Sequence, residues 1–483
     1  MDRESFETNL ALFSHNNPQL AIHIPEVSPE TPPTYPGGWF SVLPIQNCEV
    51  VYLFGIGLGE GYTEGKRWLH EKSERRLIIM EDNLGILHHF LQTESATDLL
   101  NDPQVELYGF FKLSEEDPII KRVGWSVVQQ EIYPTSIPFY AETRSQEAEE
   151  FEQVILYETT HKNEIVDEYL NYGIVFYRSF YRNLLSLHES YHGNQLFGKF
   201  QNIPAIICGA GPSLKKNMHL LKDLSDKALI FGGGSALKAL SNGGIIPHFG
   251  AGIDPNPSQL DRMEGCPQNL PFFYRPRMHY QAFREVRGPR LYINGAGGYD
   301  TAEWFEEQLG ISHKVLDEGH NVVNFCTEIA HELGCHPIIF VGMDLAYTGN
   351  AAYSEGVVES HEMTHEVTRP DIFGNPVSTQ WKWIAESDWL ARYVKENSHL
   401  TVINATEGGI GFRGVPNVPL KKVIEKYFTK SYPLHEIIPR EIEKATMPEV
   451  IFEKVLELFH ELEKSLEKLL TSFDILIQES EKV

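Results

Sequence analysis

His361, Glu362 and His365 stand in the spacing H-E-x-x-H within "ESHEMTHEV". On a sustained helix that spacing places two imidazoles one turn apart, with a glutamate beside them to deprotonate a zinc-bound water. The surroundings argue against that use. Gly356 precedes the motif by five residues, and Thr364, Val367, Thr368 and Pro370 crowd its other side. β-branched residues and proline leave little room for a helix. The stretch is therefore expected to form a loop or short helix over a cleft, where a histidine can act as a base or hold phosphate without a metal.

The elements that would position such groups lie upstream. "PAIICGAGPSLKKN" runs an apolar strand into Gly209 and Gly211, and Ser213 opens a helix. A serine there can cap the helix, and the first-turn N–H groups face whatever anion lies above the strand end. Two further turns repeat the design, "ALIFGGGSALKAL" with Ser235 and "HFGAGIDPNPSQL" with Asp254 and Asn256. Later strand ends carry Asn294, His320 with Asn321, Asp344 with Tyr347, and Asn404, Thr406 and Glu407. Polar groups collected at the C-terminal ends of strands mark the ligand edge of an open α/β sheet. Five arginines, Arg275, Arg277, Arg284, Arg287 and Arg290, fall within 16 residues. They form either a solvated face or, through Arg275 or Arg277, a phosphate or carboxylate clamp.

An earlier glycine loop, "VVYLFGIGLGEGYTEG", carries Gly55, Gly57, Gly59 and Gly61 after a strand, and Glu81 closes the next strand 22 residues after Gly59. Such a pair can serve NAD or S-adenosylmethionine. Its G-x-G-x-G spacing also suits a Rossmann-like turn whose glycines only permit close packing.

Composition bounds the rest. The 483 residues exceed one ordinary core, and 42% hydrophobic with 22% charged residues describe a globular protein. A net charge of -26 disfavours nucleic acid and anionic membranes as partners. Five cysteines without a C-x-x-C pair, an acidic N-terminus lacking an apolar core, and no long apolar run suggest a cytoplasmic protein. The expected class is α/β, in four segments. These are a Rossmann-like domain over 1–148, a helical connector over 149–195, a doubly wound, mostly parallel domain over 196–428 and a helical tail over 429–483. Phe452, Val455, Phe459, Leu462, Leu466, Leu469, Phe473 and Leu476 form a tail seam of period 3.5. It is suited to packing on the connector or to pairing with a second copy.

"PAIICGAGPSLKKN", "GAGIDPNP", "GHNVVNFCTEIAHELGCHPIIFVGMDLAYTG" and "NATEGG" together resemble the central domain of motility accessory factors, the Maf proteins. The likeness covers about residues 190–430, and the flanking segments fit that family's three-part layout. It implies a glycosyltransferase with a sialyltransferase-like central fold. Such an enzyme moves a nonulosonic acid of the pseudaminic or legionaminic type from a CMP-sugar to Ser or Thr of a protein such as flagellin. By that resemblance Gly209, Gly211, Ser213, Ser235 and Asp254 line the nucleotide pocket, and His320 and Asn321 sit near ribose or phosphate. Asn256 and Asn294, at neighbouring strand ends, are expected to bind the nucleotide with them. Arg275, Arg277 and Tyr347 hold phosphate or carboxylate. Asp344 stands near the sugar or acceptor, and the general base is His361, His365 or Glu407. The implied reaction is inverting and uses no metal and no cofactor beyond the donor. A related branch transfers pyrophosphate from ATP to a pterin, and a client-binding protein of the same fold is the third expectation.

Overall fold

The structure, a computed structural model, describes residues 3–32, 35–110, 119, 124–295, 300–316, 321–347, 366–448 and 451–480. The chain divides into two compact units, Met1–Glu168 and Tyr169–Val483. The first is built on a four-stranded parallel sheet of β1 (Val50–Phe54), β2 (Arg76–Glu81), β3 (Val105–Gly109) and β4 (Ile132–Ser136), in the order β3-β2-β1-β4. β1 is buried at every residue, as a parallel strand covered on both faces must be.

The second unit holds an eight-stranded sheet. Its strands are β5 (Ser190–His192), β6 (Ala205–Cys208), β7 (Leu229–Gly233), β8 (Phe249–Gly252), β9 (Phe272–Tyr274), β10 (Arg290–Tyr292), β11 (Ile338–Val341) and β14 (Val402–Asn404). The order is β14-β11-β6-β7-β8-β9-β10-β5, with every neighbouring pair parallel. A separate antiparallel hairpin pairs β12 (Glu366–Pro370) with β13 (Pro376–Gln380). The α/β class and the mostly parallel doubly wound sheet are as the alternation of strands and helices predicts.

Helix Ser145–Leu185 spans 41 residues and serves both units. Phe151 and Ile155 enter the first core, while Phe176, Phe180 and Leu184 enter the second. The last helix, Ile451–Ser480, divides in character along its length. Ile451, Val455 and Leu458 are buried, and Phe459 meets Tyr181 and Phe305 edge to face at 5.6 and 5.4 Å. From Glu463 onward every described residue is exposed, so the seam packs within the chain only as far as Leu462. Among the described residues no helix is long and apolar enough to cross a membrane.

Candidate functional site

Strand order locates the crevice. From β6 the chain steps outward through β7, β8, β9 and β10, then returns to lay β11 on the other flank of β6. The loops after β6 and β11 thus leave the sheet in opposite directions, which opens a crevice between them. Because all eight strands are parallel, the loops bearing Ser213, Ser235, Asp254, Arg275, Asn294, Asp344 and Glu407 share one edge of the sheet.

At the crevice the turns after β6, β11 and β14 touch. The Gly211 N–H donates to Gly342 O at 2.7 Å. A Cβ on Gly209 would overlap the Gly342 carbonyl, and one on Gly211 would overlap the Asp344 carboxylate. These two glycines bring two backbone turns together. Ser213 does not cap its helix with its side chain, as the sequence suggests it can. Its N–H donates to Asp344 Oδ2 at 3.0 Å and its hydroxyl to Asp344 Oδ1. Asp344 is buried, and its carboxylate fills the anion position at the start of helix Leu214–Leu221.

The turn after β14 closes over this pair. Ile410 N–H donates to Asp344 O at 3.0 Å, and Gly408 lies beside Ser213. The Glu407 side chain accepts from the Leu420 N–H at 3.1 Å, so it satisfies the next helix, while Lys216 donates to the Glu407 carbonyl at 2.8 Å. Tyr347 packs on Trp383 with ring centroids 4.9 Å apart, and its hydroxyl accepts from Gln380.

Across the sheet the other candidates divide into held and open. Asn294 is wholly buried: its Oδ1 accepts from His192 Nε2–H at 3.0 Å, while its Nδ2 donates to Ile311 O at 2.7 Å. Arg275, also buried, donates to Leu316 O at 2.6 Å and lies over Phe325. Nearby Glu306 is raised above the ordinary carboxylate range by burial, while Tyr292 and Gly295 donate to it. Arg277 is buried on a turn that Asn183 fixes by donating to Pro276 O and Met278 O. Asn321 caps helix Val322–Glu332 by accepting from Val323 and Asn324 N–H groups at 2.8 and 2.9 Å. Asn256 holds Ser258 N–H and donates to Tyr172. Asp254 keeps a partly exposed carboxylate 3.7 Å from Arg262. Ser235 begins helix Ser235–Asn242 with no side chain capping that turn.

His320, His361 and His365 lie outside the described residues. The described chain resumes at Glu366 as strand β12. Among the described residues no group of three or more His, Cys, Asp or Glu side chains is placed to hold a metal ion. All five cysteines are free thiols, and burial pushes Cys208 up to about 12, which silences it as a nucleophile.

Two buried amides escaped sequence reasoning. Asn324 is fully buried, and neither its Nδ2 nor its Oδ1 has a partner among the described residues. Gln259 is 1% exposed with Oε1 likewise unpartnered. The signal was faint: each is one amide in a short helix entry, and burial does not show in a chain of letters.

The first unit's glycine loop answers differently. Gly55, Gly57 and Gly59 all adopt positive φ, as a Rossmann-like turn requires. The loop amides are already taken: Ile56 N–H donates to Glu81 Oε2 at 3.0 Å and Leu58 N–H to Glu60 Oε2 at 2.7 Å. Glu81 is fully buried and also accepts from Asn83 N–H and the Tyr140 hydroxyl, so it does not face a ribose. Beside it a cavity of about 560 Å³ is lined by Val27, Asn83, Leu84 and Gly85 together with Asp82 and Arg144, which form a two-point ion pair.

The family model described as 6-hydroxymethylpterin diphosphokinase MptE-like matches residues 178–350. No curated protein matches the sequence. Among solved structures, the chain is similar to the Maf glycosyltransferase from Magnetospirillum magneticum AMB-1, with a TM-score of 0.55 and 15% identity. That similarity covers 95% of this chain and 80% of that one. The resemblance read from the motifs is thus borne out: this chain has the fold of a Maf glycosyltransferase along nearly its whole length, and its middle carries the sequence pattern of the MptE-like family, to which Maf-type proteins belong.

Proposed function

We propose that the chain is a glycosyltransferase that moves a nonulosonic acid of the pseudaminic or legionaminic type from a CMP-activated donor to a Ser or Thr hydroxyl of a protein such as flagellin. One observation carries the reading: the likeness in fold to a Maf glycosyltransferase extends through both units rather than stopping at one common sheet. The donor then lies along the edge of the eight-stranded sheet that carries the C-terminal ends of its strands. In this reading the acceptor oxygen attacks the anomeric carbon opposite the phosphate. The bond from that carbon to the phosphate oxygen breaks, CMP leaves with the electron pair, and a base takes the acceptor proton. Asp344 and Glu407 are each engaged in joining turns. We therefore assign the base to His361 or His365, in the segment between β11 and β12. The reaction uses no cofactor beyond the donor and takes place in the cytoplasm. Besides the acceptor, a second copy of the chain pairs along the exposed half of helix Ile451–Ser480.

Thermal unfolding of the whole chain against CMP and against ATP tests this. A ligand at about 100 times its Kd, bound only to the folded state, adds roughly 2.7 kcal/mol. CMP is expected to raise Tm while ATP leaves it in place. A second reading follows from the match over 178–350, namely transfer of pyrophosphate from ATP to a pterin. Stabilisation by ATP with none by CMP would establish that reading in place of the first. Stabilisation by neither would make the protein a client-binding relative of the same fold.

A further inference from the structure

Two helices start at neighbouring strand ends, and they differ in what meets their first turns. Helix Leu214–Leu221, after β6, already faces an anion, since Asp344 accepts from both the N–H and the hydroxyl of Ser213. Helix Ser235–Asn242, after β7, is different: Gly234 stands at its N-cap with no side chain to offer, and Leu237 N–H turns back to Gly234 O at 3.2 Å. Among the described residues no side chain accepts from the Ser235 or Ala236 N–H, and the helix dipole favours negative charge beside them.

A second, independent observation falls on the same spot. Gln259, from helix Ser258–Met263 after β8, is 1% exposed and its Oε1 has no partner among the described residues. Both of its amide atoms lie 3.9 Å from where a Cβ on Gly234 would stand, so its carboxamide ends at the open helix terminus. Gly234 has φ 48° and ψ -122°, and having no side chain it leaves that approach clear. Buried amides without partners are rare in folded chains and call for a ligand or a water.

We propose that the phosphate of the nucleotide ligand seats on the N-terminus of helix Ser235–Asn242. The Ser235 hydroxyl and the Gln259 carboxamide are its side-chain contacts, and the first glycine turn, occupied by Asp344, does not receive it. This rests on the nucleotide-binding reading above, and it holds for a cytidine or an adenosine nucleotide alike. The Gln259 Nε2 donates to a phosphate oxygen while Oε1 accepts from a hydroxyl of the ligand. Which end of the amide faces which group follows from those partners. Arg262, on the helix that carries Gln259, is paired with the Asp254 carboxylate at 3.7 Å.

Isothermal titration of the full chain with a nucleotide and its phosphate-free nucleoside tests the seat. CMP and cytidine form one pair, ATP and adenosine the other. Gln259→Glu sets a carboxylate against the phosphate, so nucleotide affinity is expected to fall about 30-fold or more while nucleoside affinity stays within about 3-fold. Gln259→Leu removes the unpaired polar group, so the unliganded protein should be at least as stable, yet bind the nucleotide about 10-fold more weakly. Equal losses for nucleotide and nucleoside would overturn the seat, and so would undiminished nucleotide binding by both variants. So would loss of nucleotide on Ser213→Ala with the Gln259 variants unaffected. If the wild type binds no nucleotide, the nucleotide reading itself falls and takes the seat with it.

Discussion

Gly409→Ala should destabilise the second unit by about 3–5 kcal/mol, more than any other single methyl added near the crevice. Gly409 has φ 72°, a conformation costing an L-residue about 1–2 kcal/mol. An added Cβ would also overlap the Asp344 carbonyl oxygen, which is backbone and cannot rotate aside. Overpacking costs typically about 1–3 kcal/mol, and the contact here is tighter than most. The neighbouring Ile410 N–H donates to that same Asp344 carbonyl and Ile372 N–H donates to Gly409 O, so the turn after β14 cannot slide without losing hydrogen bonds. Because the chain has two units, one unfolding midpoint does not report the effect cleanly. Amide exchange over residues 338–347 and 402–412 does, and it should accelerate while β1 and β2 stay protected. An alanine variant with wild-type exchange there would mean that the turns after β11 and β14 do not pack as described.

The second large effect belongs to Glu81. Burial raises its pKa to about 7, against hydrogen bonds from Ile56, Asn83 and Tyr140 that pull the other way. An acid whose folded pKa exceeds its unfolded value of 4.5 binds its proton more tightly in the folded state. Its contribution is therefore greatest where it is protonated, declines as pH rises from about 4.5 to about 7, and is flat above that. The span corresponds to about 3 kcal/mol for the first unit. Glu81→Gln should erase that slope, since an amide cannot ionise, at the cost of the Ile56 N–H losing its acceptor. Exchange of β1 amides in the two proteins, followed from pH 5 to pH 8 after correction for intrinsic rates, separates this group from all others. Parallel profiles would show that Glu81 does not titrate in this range.

Much of the second unit was legible because it is repetitive. Strands β6, β7 and β8 are short buried runs that end in or run straight into glycine, and a parallel sheet buried on both faces gives that signal. Strand β5 was not legible: Ser190–His192 is three residues long, and only pairing with β10 makes it extended. Types of residue at strand ends could be read, but not who meets whom. Ser213 and Asp344 lie 131 residues apart, and their bond turns a presumed ligand serine into half of an internal contact. Glu81 shows the same limit, for an acid closing β2 looks identical whether it faces a ribose or its own glycine loop. Open positions such as Gln259 come forward only after the internal partners are counted.

The last helix has a consequence in time rather than in space. Residues 463–480 are 18 residues of helix in which every residue is exposed, with Leu469 at 51% and Phe473 at 53% exposure, and none of their apolar side chains joins a core cluster among the described residues. A helix of that length is marginal alone in water, so its amides should open and close orders of magnitude faster than those of residues 451–462, which share the core. One continuous rod therefore carries two clocks. The fast one is set by how often a second apolar surface arrives, so dilution should quicken it and crowding by other copies should slow it, while the buried half keeps the same rate throughout.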